Sequence, residues 1–208
     1  MSKRVIIVNY GIGNIQSVAQ AVINCGYNPV LADNEIKVMD ADYLILPGVG
    51  AFGDAVSELQ NRNLFGAVIE FSKTGRPLLG ICVGMQMLFE KSYEFGEFSG
   101  LGLIPGTVKK INLQEGLRIP NISWQPLKIS DDTNHPVLSE VASNDYFYFI
   151  HSYAGIPDIT DYNLATYQYG KEKICAIVGS ENILGTQFHP EKSGKAGLRF
   201  LNNWLNTD

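Results

Sequence analysis

Apolar positions in the first 90 residues come in two alternating textures. Short, uninterrupted, β-branched runs read as strands at Arg4 to Asn9, Pro29 to Ala32, Tyr43 to Leu46 and Pro77 to Ile81. Between and after them, apolar residues recur at helical spacing from Asn14 to Cys25, Ala55 to Gln60, Leu64 to Lys73 and Val83 to Lys91. Gly26 ends the first of these helices, and a turn at Gly11 to Gly13 precedes it. Strand, helix, strand in this order predicts a parallel sheet with right-handed crossovers.

From about Gly102 the texture changes to short alternating strands and turns. Strands are expected at Thr107 to Ile111, Pro126 to Ile129, Tyr146 to His151, Leu164 to Tyr169 and Lys173 to Val178, forming antiparallel sheet added to the same domain. A strand at Ile183 to Phe188 and a helix from Lys195 to Leu205 close the chain. The expectation is one α/β domain over residues 1–208, a central, mostly parallel sheet flanked by helices with added antiparallel strands. No repeat or linker marks a second domain.

Composition narrows the possible functions. With 208 residues, 45% of them hydrophobic and 18% charged, the chain can bury a full core without a metal or disulfide. A net charge of -5 and the lack of a Lys/Arg block argue against a grip on nucleic acid or an anionic membrane. No apolar stretch approaches the roughly 20 residues that span a bilayer, and Val5 to Val8 is too short for a signal peptide, so the chain reads as cytoplasmic. Cys25, Cys82 and Cys175 are odd in number and far apart, which signals neither a disulfide framework nor a metal site.

Candidate chemistry sits in three segments. PLLGICVGMQ, residues 77 to 86, runs a buried strand into a helix, with Gly80 and Gly84 flanking Cys82. This is a nucleophile elbow with sulfur in place of oxygen, and the helix N-terminus favours thiolate. Alone, the motif would be read as a packed, inert cysteine beside a glycine turn. GTQFHPE, residues 185 to 191, sets an imidazole and a carboxylate two residues apart across a proline that biases His189 towards extended backbone, so both side chains share a face. Base and orienter roles follow for His189 and Glu191, against the alternative of a surface His-Pro turn. His135-Pro136, after Asp131, Asp132 and Asn134, is read as such a surface loop. LPGVGAFG, residues 46 to 53, ends a strand in a glycine-rich loop that can present backbone N–H groups to an oxyanion. It lacks the Gly-Lys-Ser/Thr of a phosphate loop, and Gly11-Ile12-Gly13-Asn14 is an incomplete dinucleotide fingerprint, so no cofactor is assigned.

PGVGAF, GICVGMQ and QFHPEKS together, in this order, resemble the class I glutamine amidotransferases, of flavodoxin-like fold, across essentially the whole chain. Within that class, PGVGAF, YFIHSY at 148 to 153 and FHPEKSGKAGL look most like the glutaminase subunits of imidazole glycerol phosphate synthase. The resemblance implies that Cys82 attacks the side-chain amide of L-glutamine, His189 shuttles the proton and Glu191 orients it, releasing glutamate and ammonia. It implies oxyanion donors from the backbone of Val83 and of Val49 or Gly50. Gln86 and Glu94 match substrate-holding positions, and the backbone of His151, Ser152 and Tyr153 matches the segment that binds the α-carboxylate. The implied partner is a (β/α)8 cyclase subunit, forming a heterodimer that channels ammonia. Trp124, Tyr148 and Lys192 fall at interface positions, although Tyr148 also reads as a core aromatic and Lys192 as a solvated charge.

The chain departs from the family's Pro-His-Met-Gly-Trp-Asn segment with Pro120, Asn121, Ile122, Ser123, Trp124 and Gln125. It also carries Asn9 where aspartate is common and Ala154 where a bulkier residue is frequent. These changes leave open a paralogous pair that aminates or amidinates a nucleotide-linked sugar. A silent assembly protein and a cysteine peptidase are the rival classes.

Overall fold

The computed structural model describes residues 3–112, 115–130, 133–142 and 144–207. Asp131 and Asp132 lie outside them. The first half alternates as the pattern predicts: β1 (Val5–Val8), α1 (Ile15–Asn24), β2 (Val30–Ala32), α2 (Glu35–Met39), β3 (Tyr43–Leu46), α3 (Phe52–Asn61), α4 (Leu64–Ser72), β4 (Leu78–Ile81) and α5 (Val83–Met87). The second half adds β5 (Phe89–Ser92), β6 (Phe98–Ser99), β7 (Ile104–Lys110), β8 (Asn121–Pro126), β9 (Lys128–Ile129), β10 (Tyr146–His151), β11 (Tyr153–Pro157), β12 (Asn163–Tyr169), β13 (Glu172–Ser180), β14 (Ile183–Thr186) and α6 (Gly194–Leu205).

An eight-stranded sheet runs in the order β2-β1-β3-β4-β14-β13-β12-β9. Its first five strands are parallel and the remaining pairings antiparallel. The order of those five, with β14 as fifth, is the doubly wound flavodoxin-like order. Residues of β1, β3 and β4 are all buried, as expected of parallel strands covered on both faces, which is why their sequences are apolar without alternation. In such sheets the site lies beyond the carboxyl ends of the strands, and β3, β4 and β14 there deliver the glycine loop, Cys82 and His189.

Three expectations need correction. The helix expected from Val83 to Lys91 stops at Met87, and Phe89–Ser92 is strand β5. Pairing of β5 with β7 and β6 overrides the helical tendency of this stretch. The single strand expected from Pro126 to Ile129 is instead a junction: Pro126 ends β8 and β9 begins at Lys128. Nor is the second half antiparallel throughout, or one sheet. β8 and β10 form a separate antiparallel pair, and β11-β7-β5-β6 form a third sheet in which β5 and β7 are parallel. The short helix α2 escaped the periodicity because it spans one turn and a half, started by Asn34, whose side chain accepts from the Lys37 N–H at 3.1 Å.

No helix among the described residues is long and apolar enough to cross a membrane.

Candidate active site

The elbow is built by close approach. Cys82 has φ 55° and ψ -109°, outside the ordinary regions for an L-residue, and caps the N-terminus of α5. Its N–H donates to the Thr186 carbonyl at 2.7 Å, locking the turn to β14. A Cβ on Gly84 would sit 1.9 Å from the Leu46 carbonyl oxygen, and one on Gly80 would sit 2.7 Å from the Gly84 oxygen. Only glycine at both positions lets the elbow pack against the end of β3. The leading N–H groups of α5, Val83's included, have no carbonyl partner within the helix. Facing them is the loop after β3, where Gly50 takes φ +83°.

His189 follows β14 with extended backbone (φ -97°, ψ 99°), as the Pro190 next to it demands. Its Nδ1 lies 2.7 Å from Oε1 of Glu191, and both side chains are buried. Burial opposes protonation of the ring, but the Cys82 sulfur and the Glu191 carboxylate outweigh it and hold the imidazole pKa above its ordinary value. Ser193, which sequence reasoning missed, donates from Oγ to the His189 carbonyl at 2.6 Å and accepts from the Tyr148 N–H at 3.0 Å. With the His189 N–H donated to the Tyr148 carbonyl at 3.0 Å, it staples the histidine to β10.

A cavity of about 300 Å³ opens beside these groups. Cys82, Val83, Gln86, His189, Lys192, Val49 and Gly50 line it. Glu94 and His151, Ser152 and Tyr153 complete it, joined by Pro120 and Ile150, which the sequence did not single out. The volume suits an amino-acid side chain with its backbone rather than a nucleotide cofactor. Burial raises the pKa of Glu94, whose Oε2 accepts from the Phe52 N–H at 2.7 Å.

His151 is held from both ring nitrogens, 2.8 Å from the Tyr153 carbonyl and 2.8 Å from the Tyr167 hydroxyl. Burial drives its pKa down to about 4, so the ring is neutral and its Nδ1 carries the proton donated to that carbonyl. Asn121, at the first of the departures from the family segment, donates to the Tyr167 hydroxyl at 2.9 Å, so the change leaves this buried polar group satisfied. Trp124 and Tyr148 do not line the cavity; they pair across β8 and β10 with ring centroids 5.7 Å apart, Trp124 half exposed. Among the described residues, no group of three or more His, Cys, Asp or Glu is arranged to hold a metal ion.

The model of the family "Glutamine amidotransferase class-I" matches residues 6–207. The chain belongs to the class I glutamine amidotransferases. Among curated members of this amidotransferase family it is similar to the imidazole glycerol phosphate synthase subunit HisH of Lactococcus lactis, 44% identical over 204 residues and covering 98% of each chain. The HisH subunit of Aquifex aeolicus is 41% identical over 202 residues, covering 97% of this chain and 95% of the relative. Its fold is shared by a chain of the Thermotoga maritima PurLQS structure (TM-score 0.75, 20% identity, 99% of each chain covered). It is shared too by a crystal structure of a glutamine amidotransferase (TM-score 0.70, 18% identity, 96% of this chain and 98% of that one). The amidotransferase family thus extends over the sheet, the elbow and the His-Pro-Glu segment alike.

Proposed function

We propose that this chain, acting as one domain over residues 1–208, is the glutaminase subunit of an imidazole glycerol phosphate synthase and serves histidine biosynthesis. The observation that carries the reading is the buried His189–Glu191 pair beside Cys82, with Cys82 and His189 lining a cavity sized for glutamine.

In the proposed reaction the Cys82 thiolate attacks the side-chain amide carbon of L-glutamine, and the carbonyl π electrons move onto oxygen. The N–H groups of Val83 and of the peptide at Val49 or Gly50 stabilise that oxyanion, the latter after reorientation of its loop. Protonated His189 gives its proton to the departing nitrogen, so ammonia leaves and a glutamyl thioester remains. Neutral His189 then takes a proton from water, which attacks the thioester and releases glutamate and the cysteine. Glu191 orients the ring and stabilises its charged form. Glu94 and Gln86 hold the substrate, the Glu94 carboxylate suiting its α-ammonium group, and the backbone of His151 to Tyr153 receives the α-carboxylate.

The names of the relatives favour a cyclase of (β/α)8 architecture as partner over a sugar-modifying pair. Its docking face is the β8–β10 pair, where Ile122, Trp124, Tyr146 and Ile150 are exposed beside Tyr148, with Lys192 at the cavity mouth. Ammonia passed directly to the partner escapes protonation in bulk water. The test is glutamate release by this chain alone and with the cyclase plus its nucleotide ligand. Strong stimulation by the loaded cyclase is expected; equal rates with and without it would contradict the partner.

A further inference from the structure

Gln187 lies two positions before His189, is fully buried, and has no part in the reaction as described. Its Nε2 lies 3.8 Å from the Cys82 sulfur, within reach of that large atom, and its Oε1 lies 3.1 Å from Nε2 of Gln86. An amide can be turned either way, and here the surrounding hydrogen bonds decide which.

The polarity is fixed from the Tyr153 carbonyl, which can only accept. Gln86 approaches that oxygen at 2.9 Å and must present its NH2 group. The second hydrogen of that NH2 points at Gln187, which must answer with oxygen, so the Gln187 NH2 is left facing the sulfur. The same Tyr153 oxygen also accepts from His151 Nδ1, which Tyr167 and Asn121 hold in turn. The amide at the sulfur is therefore oriented by a chain of buried groups and is not free to flip. Opposing it, the Ile150 carbonyl lies 4.0 Å from the sulfur, an acceptor that favours the protonated thiol.

We propose that Gln187 is a positioning residue of this glutaminase site, whose amide N–H, oriented through Gln86 and the Tyr153 carbonyl, donates to the Cys82 sulfur and favours its thiolate over the thiol. The inference rests on the reading of Cys82 as the nucleophile. Other titratable groups around the sulfur are His189 and Glu191 after β14, Tyr10 after β1, and Glu94, His151 and Lys192 on the cavity wall. All of them stay in place in the variants below.

Gln187→Glu is the informative change. Its carboxylate still accepts from Gln86 and keeps the side chain's shape, but it sets an oxygen where the donor was. Gln187→Met removes donor and acceptor together. Iodoacetamide alkylation of Cys82 is followed against pH by mass spectrometry of its peptide, which separates it from Cys25 and Cys175. Both variants are expected to move the alkylation midpoint to higher pH and to slow alkylation at neutral pH about tenfold or more, the scale of one hydrogen bond to a charged group. The same factor is expected in kcat for glutamine with KM little changed. A Gln187→Glu protein that folds and alkylates with the wild-type pH profile would overturn the inference and leave the glutaminase reading intact. Failure of wild-type Cys82 to alkylate in a glutamine-protectable way would overturn both.

Discussion

Oε1 of Glu191 sits 2.7 Å from Nδ1 of His189, while its other carboxylate oxygen, Oε2, is buried without a hydrogen-bond partner among the described residues. One oxygen thus carries the interaction with the ring, and the carboxylate is kept from solvent. Glu191→Gln keeps the shape and removes the charge that helps to raise the His189 pKa. The expected result is a His189 titration shifted to lower pH, read by NMR of the ring, and a fall in kcat/KM of about 100- to 10,000-fold.

The neutral, buried His151 ties stability to pH. Its pKa of about 4 lies below the ordinary 6.5, so between these values the unfolded chain takes up a proton that the folded chain refuses. Stability attributable to this group is full above pH 6.5 and declines as pH falls towards 4. The loss amounts to about 3 kcal/mol if the whole shift is realised. Urea unfolding across that range should show the decline in the wild type and a shallower one in His151→Gln, whose own stability is lower because its amide does not reproduce the ring's placement between the Tyr153 carbonyl and the Tyr167 hydroxyl.

Glycine positions divide sharply. Gly84→Ala would drive a methyl to 1.9 Å from the Leu46 oxygen, and the elbow must shift or the chain fails to fold. Gly66, inside α4 with open space around its Cβ direction, should accept alanine and gain up to about 1 kcal/mol of stability. Thermal melts of the two variants against the wild type read both outcomes.

Much of this was legible in the residues, and the boundary is a physical one. β1, β3 and β4 declare themselves because strands buried on both faces need apolar residues throughout, and the glycines around Cys82 mark a place where backbones touch. Strand β5 could not be read, since Phe89 to Ser92 becomes a strand through pairing with β6 and with β7, the latter more than a dozen residues on. Gln187, Ser193 and Tyr10 escaped for the same reason. Tyr10 donates its hydroxyl to the Pro47 carbonyl at the head of the glycine loop, a bond between residues 37 positions apart that no local pattern announces.

Glu94 is the carboxylate that lines the pocket, and the proposed reaction pairs its charge with the substrate's α-ammonium group. Glu94→Gln should raise KM for glutamine about 10- to 100-fold with a smaller effect on kcat, the pattern of lost substrate binding. Steady-state kinetics over a wide glutamine range decide it.

Trp124 offers the clearest handle on the proposed docking face, being half exposed and tilted against Tyr148 with ring centroids 5.7 Å apart. Trp124→Ala should change the stability of the isolated chain by no more than about 0.5 kcal/mol yet weaken cyclase binding by about tenfold or more. Titration of the variant with the cyclase, alongside a denaturation curve of the free chain, separates the two effects.

Glutamine hydrolysis by this chain is proposed to run through the Cys82 sulfur, and every other role assigned above depends on that atom. Glutamate release from L-glutamine, measured for wild type and Cys82→Ala in parallel with the loaded cyclase present, tests it most directly. Steady release by the wild type and none above background from Cys82→Ala is the predicted result. Release that persists in Cys82→Ala, or that is absent from a folded wild-type chain under these conditions, would contradict it.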